Sequence, residues 1–483
     1  MKCNGKNIKC GQYKLYRSIH PRYNGRLIER FHTPEHGGRS CNTAAGDQMR
    51  FLPTANDPLQ ASSLPSSKLS TNIIPQPHSI SEQEAIAYFL QEYSVQPGSG
   101  GFGGHLDTLQ ELYESSHRES CLQKATLATA YLCLSRHYKS SALYSLAREY
   151  RGAALRAINR ELASTSSSFK DKTLTSIMFM GMMEDIDSQG VSKKPYHMLG
   201  IARIYEVAGH RLLNNIHKRQ LDGWIFSELQ IPSLNTDKPL DCLTVPDTDL
   251  DTGNFYIRLA HIATRITHFC RRAKQLSSGR ALEALERQTL VRDNLVSVMQ
   301  QGMSIQSELV ELKGSLPPQW STWQTKDEQL ASTVSPAHIS RWIACLGCGF
   351  NMTLMLFFNT FLSCCRTLVR IDYRNKRPTL ETRLAETSMP LAAAQLKRLV
   401  ASICKALPYM MGEVDERGAR LPIPQPQAIV AYRLIWPLAV VIVSPQSTHQ
   451  QIQDCRARLN WIRDQYGMKL ASNVITLAKD LMH

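Results

Sequence analysis

From Ser81 to the C-terminus, apolar residues recur at helical spacing, while the strict alternation of a half-buried strand is almost absent. Leu143, Leu146, Ala147, Tyr150, Ala154, Ala157 and Ile158 form one continuous apolar stripe. Similar patterns run over 106–116, 119–136, 142–163, 171–186, 195–216, 256–275, 281–313, 337–372, 380–407, 428–443 and 449–481. Ser81 and Glu84 have the spacing of a capping box, so order is expected to begin there. The 233–254 stretch, with its prolines and five aspartates, reads as a loop. The expected fold is all-α: many stacked antiparallel helices, with no short repeat period.

The first eighty residues are different. Residues 1–60 carry ten Lys/Arg and four acids, so this eighth of the chain holds +6 of the total net charge of +15. No period runs through them, and 53–79 is rich in Pro and Ser with little to bury. The expected organisation is a basic, mostly unstructured segment (1–52), a linker (53–80) and a helical domain (81–483). Hydrophobic residues at 43% and charged residues at 20% fit a globular chain and exclude collagen, coiled-coil rods and disulfide miniproteins. Thirteen scattered cysteines point to a reducing interior. Met1–Cys10 is basic without an apolar stretch, so a secretory signal is not expected. The basic balance suits a polyanionic partner without naming one.

One segment requires a membrane test. Trp342–Cys365 holds no charged residue and is long enough to span a bilayer. Asn351, Thr353, Asn359, Thr360 and Ser363 interrupt it, and no second such span exists, so a core helix buried on all sides is expected.

The motifs that carry chemistry elsewhere are weak here. Gly98-Ser-Gly-Gly-Phe-Gly103 fits G-x-G-x-x-G, but Pro97 precedes it where a strand is needed, so it reads as a loop between helices. Asp247, Asp249 and Asp251 begin like a calcium loop, yet the glycine falls one position late at Gly253 and Arg258 stands where a bidentate Glu is required. Cys345, Cys348, Cys364 and Cys365 lie in apolar surroundings and read as packing residues rather than thiolate ligands. His197 and His210 are expected to be satisfied core or surface histidines. No Walker loop, H-E-x-x-H or nucleophile elbow is present, and an enzyme is not expected. Cys3 and Cys10, with Lys6 and Lys9 between them, can hold part of a metal site while aiming cations at phosphates.

Taken together, these segments resemble the fungal binuclear zinc-cluster transcription factors, over about residues 80 to 480. His105-Leu-Asp-Thr-Leu-Gln-Glu-Leu-Tyr113 is similar to the family's YLDFLPxLY helix. Asp171-Lys-Thr-Leu174, followed by an apolar helix ending in Glu184, comes next, then His197-Met-Leu-Gly200 in a helix closing at Gly209. Leu316-Pro-Pro-Gln-Trp320 and Trp436-Pro437 complete the set. The resemblance implies a helical regulatory domain, a nuclear location and promoter DNA as partner, with no membrane.

In that family six thiolates share two zinc ions, and a short basic helix enters the major groove. Cys3 and Cys10 match the second and third of those cysteines. Lys9 matches the lysine before the third, and Lys6 the first of two base-reading positions, the second being Asn7. The first cysteine would fall just before Met1, Gly11–Asn24 supplies none, and Cys41 is too far away. Either the coding sequence starts late and reads through an intron, or the zinc cluster has been lost. Zinc is expected only if the native transcript completes the module. The expected function is a nuclear transcriptional regulator of metabolic or secondary-metabolite genes. The alternative is a regulator without its own DNA-binding module that acts through an intact transcription factor. The transcription machinery is a partner in either case. Arg374-Asn-Lys-Arg377 and Arg271–Lys274 are short basic clusters that read as surface charge rather than import signals.

Overall fold

The computed structural model describes residues 80–95, 104, 106, 108–164, 171–187, 196–208, 223–225, 227–231, 234, 255–277, 285–315, 341–376, 378–415, 418–422 and 426–482. Among them the fold is all-α, with one isolated bridge between Val414 and Arg420. The helices are α1 (Glu82–Tyr93), α2 (Leu109–Glu114), α3 (Cys121–His137), α4 (Ser141–Ala163), α5 (Asp171–Asp187), α6 (Tyr196–Ala208) and α7 (Phe255–Ser277). They continue with α8 (Leu285–Gly314), α9 (Arg341–Arg374), α10 (Leu380–Met410), α11 (Ala428–Val443), α12 (His449–Tyr466) and α13 (Leu470–Met482). A further helical stretch carries Trp224 and Leu229. The basic segment and most of the linker lie outside the described residues.

Local chemistry explains the helix starts. Ser81 and Glu84 form the expected capping box, the Ser81 amide donating to Glu84 at 2.7 Å and the Glu84 amide to the Ser81 hydroxyl at 3.2 Å. Ser120 and Ser140 cap α3 and α4 with their side chains alone, accepting from the Gln123 and Leu143 amides and so satisfying one free amide of each first turn. Thr379 and Thr448 build further capping boxes at α10 and α12.

Two helices are buried on almost every side. In α3 the run from Ala125 to Ser135 is entirely buried, and in α5 so is the run from Thr173 to Met183. Their hydroxyls avoid an unpaired group by donating back along the helix: Thr126 to the Leu122 carbonyl (2.7 Å), Thr129 to Ala125 (2.9 Å) and Thr175 to Asp171 (2.8 Å). Phe179 of α5 stands edge-on to Phe89 of α1 at 5.5 Å and tilts against Trp224 at 5.8 Å. Burying an aromatic of this size contributes about 2–3 kcal/mol.

The C-terminal half is organised around α9 and α11. Helix α9 packs on α7, α8, α10, α11 and α13, and α11 packs on α1, α9, α10, α12 and α13. By length and composition α9 could cross a membrane, yet 67% of its most apolar 18-residue window is buried inside the protein. The polar residues that interrupt it explain why it packs as a core helix. Asn351 donates to Ser402 (3.2 Å), Thr353 to Gln230 (3.1 Å), and Asn359 to the Met482 carbonyl (2.8 Å). Each is paired with a neighbouring segment, as a buried polar group requires.

Several expected boundaries shift. The 449–481 pattern is broken in two, because Gly467 adopts the left-handed conformation (φ 62°) that ends α12. A Cβ at Gly467 would lie 2.7 Å from the Cβ of Arg136, so the residue also permits α3 to approach. The 106–116 pattern yields only Leu109–Glu114 as helix, and α6 is described as far as Ala208. Helix α10 runs through both Pro390 and Pro408. Gly302 of α8 is a close-packing device: a Cβ there would meet Phe361 at 2.7 Å and Phe269 at 3.1 Å.

Candidate functional site

Cys3, Cys10, Lys6 and Lys9 lie outside the described residues. So do Gly98–Gly103, His105, Asp247, Asp249, Asp251, His210 and Leu316–Trp320. Cys345, Cys348, Cys364 and Cys365 all fall on α9, with the two pairs separated by sixteen residues or more, about 24 Å of helix. All four are buried, and burial pushes the thiols of Cys345, Cys364 and Cys365 up to about 12. They are packing residues. Among the described residues, no group of three or more His, Cys, Asp or Glu is placed to hold a metal ion.

The densest polar constellation sits at the C-terminal end of α5, where Glu184, Asp185 and Asp187 follow an uncharged apolar stretch. Negative charge is disfavoured at a helix C-terminus, so each of these carboxylates needs outside support. Asp187 receives it from three directions: the Arg136 guanidinium of α3, the Tyr144 hydroxyl of α4 (2.7 Å), and Lys469 between α12 and α13 (3.2 Å). The Lys469 amide also donates to the Ile186 carbonyl at 3.1 Å, closing one of the free carbonyls of α5. Glu184 faces His197 Nδ1 of α6 at 2.9 Å and Arg151 of α4 at 3.8 Å.

Asp185 is the inward member. Its carboxylate accepts a 2.6 Å hydrogen bond from the Tyr432 hydroxyl of α11, and burial raises its pKa to about 7. Burial, followed by the charge of Asp185, likewise pushes Tyr432 well above the usual phenol range. The next residue, Arg433, reaches Glu228 at 2.7 Å and the Ser227 hydroxyl at 3.0 Å. One end of α5 therefore joins α3, α4, α6, the 227–228 segment, α11 and the turn before α13. Their chemistry is that of a latch between the two halves of the fold.

Helices α2 to α6 and the Trp224 segment form one continuous stretch of chain around this latch. Residues 105–230 match the family described as the fungal specific transcription factor domain. No curated protein and no solved structure gives a significant match. Within the matched segment, Leu109 is buried and Leu112 and Tyr113 pack against the core, as an apolar face of the opening helix requires, and Leu106 is buried just before it. The likeness covers about a quarter of the chain and supports a reading as a fungal transcriptional regulator. The latch residues had a sequence signal that went unread: three carboxylates in four residues at the wrong end of a helix for its dipole. Tyr432, Arg433 and Lys469 had none, being more than two hundred residues away.

Proposed function

We propose that this chain is a nuclear transcriptional regulator of fungal metabolic or secondary-metabolite genes. The observation that carries the reading is the family match over 105–230, a segment whose helices are buried and continuous with the rest of the core. The basic N-terminal segment, with Lys6 and Lys9 beside Cys3 and Cys10, supports direct promoter contact if zinc completes that module. The test is deletion of the gene with transcript profiling, joined to a binding assay on promoter fragments from the affected genes. A defined set of changed transcripts, with sequence-preferring binding that weakens steeply in salt, supports the reading. No transcript change sinks it.

A second mode is favoured by one feature of this sequence: after Cys10 no cysteine follows until Cys41. Two thiolates do not complete a tetrahedral zinc site. In this mode the helical domain regulates by binding an intact transcription factor. Affinity purification from the native host separates the modes, since recovery of a zinc-cluster factor with no intrinsic DNA preference favours the second.

A further inference from the structure

Helix α10 carries two apolar faces, and the described residues cover only one of them. Ala385, Ala392, Leu396, Val400 and Ile403 are buried, on a helix that packs along α9. On the opposite side Leu380, Leu384 and Leu391 are 69%, 39% and 70% exposed, three of the nine large hydrophobics left in water among the described residues. Single exposed leucines are ordinary, but these three stand in register. Leu380, Leu384, Thr387, Leu391 and Ala394 follow one another in alternating steps of four and three residues, and all five are exposed. That is the spacing by which one helix seats another, sustained here for two heptads, about 21 Å of helix.

The free charge beside this seam has one sign. Arg383, Lys397, Arg398 and Lys405 are exposed, and none is ion-paired among the described residues. Of the two acids on α10, Glu381 is drawn to Arg292 at 3.6 Å and Glu386 is half-buried. We propose that the seam from Leu380 to Ala394 is a docking surface for an amphipathic helix of another protein, one that carries Asp or Glu beside its apolar stripe. The spacing sets the shape of that partner and the cations set its charge. A helix laid along α10 buries its own apolar stripe against the three leucines. Acids at its flanking positions then meet Arg383, Lys397 and Arg398, which speeds encounter and fixes orientation more than it adds affinity. Other occupants fit less well. A phosphate backbone satisfies the cations but leaves the leucines in water, and a second copy of this face brings its own unpaired cations against these. The seam is set by the fold alone and does not depend on how the chain reaches a promoter.

The test uses the full chain and a fluorescein-labelled synthetic peptide of about three heptads, with Leu at a and d and Glu at e and g. Anisotropy should report saturable binding in the micromolar range that weakens with salt. L380S/L391S should weaken it roughly tenfold or more, and R398E by less. A peptide of the same composition in scrambled order, and one with Lys at e and g, should each bind the unaltered chain about tenfold more weakly or worse. Absence of saturable binding, equal binding of the scrambled peptide, or equal binding to L380S/L391S overturns the proposal. Duplex DNA of about twenty base pairs that displaces the peptide and binds L380S/L391S as well as the unaltered chain marks a phosphate surface instead. Light scattering that shows a dimer split by L380S/L391S marks a self-interface instead, and either result overturns the proposal. The scrambled-peptide comparison needs no variant, so it decides the matter even if L380S/L391S fails to fold.

Discussion

Arg292 of α8 grips Asp372 of α9 in a two-point ion pair, Nε to Oδ1 at 2.7 Å and Nη2 to Oδ2 at 3.2 Å. Asp372 is 2% exposed, and its second oxygen also accepts from the Thr382 hydroxyl at 2.6 Å. Three helices meet at this carboxylate, with Thr379 and Thr382 closing the capping box of α10 above it. Removing one partner of such a pair leaves the other charge buried and unmatched. R292A is expected to destabilise the protein by about 3 kcal/mol, read as a lower urea midpoint with an unchanged slope.

Asp185 makes stability depend on pH in the direction opposite to most carboxylates. Its folded pKa, about 7, lies above the usual carboxylate value, so the native state holds a proton that the unfolded chain releases. The associated stability is complete below about pH 4 and is lost as pH rises through 7. Stability of the D185N variant should fall less than that of the parent between pH 5 and 8, with the Tyr432 hydrogen bond retained. Identical pH profiles for the two proteins would remove Asp185 as the cause.

Gly302 tests the packing of α8 on α7 and α9. A methyl group there must displace Phe361, which lies 2.7 Å from the added atom and is itself fully buried. Alanine normally favours a helix over glycine by about 1 kcal/mol. Here G302A should instead cost roughly 1–3 kcal/mol. A rise in thermal midpoint would show that the ring moves freely.

A fragment limited to the matched segment, 105–230, should not fold as the parent does. The core is one contiguous cluster running from Ala85 to Ala478, and α11, α12 and α13 cover α1, α3 and α5. Without them the buried faces of α3 and α5 meet water. The expected result is a soluble-aggregate elution profile and binding of a hydrophobic dye, while a chain beginning at Ser81 unfolds cooperatively.

Much of this architecture was legible because helical periodicity is a local property. The stripe from Leu143 to Ile158 and the cap at Ser81 need only neighbours in sequence. The breaks were harder. Gly467 ends α12 partly because Arg136, over three hundred residues away, occupies the space where a Cβ would go. The latch was hidden for the same reason: Glu184, Asp185 and Asp187 look like ordinary surface acids until Tyr432 and Lys469 arrive from the other half of the chain. The N-terminal cysteines remain a matter of sequence alone.

The carboxylate end of α5 has an evolutionary consequence. Because Asp185 and Asp187 are completed by residues from α11 and from the turn before α13, the two halves of this chain cannot be exchanged independently with those of a relative. A chimera joined between α6 and α11 would inherit acids from one parent and their partners from the other. Substitutions at Tyr432 and Lys469 should therefore track substitutions at Asp185 and Asp187, and lineages that recombine should preserve the set as one unit.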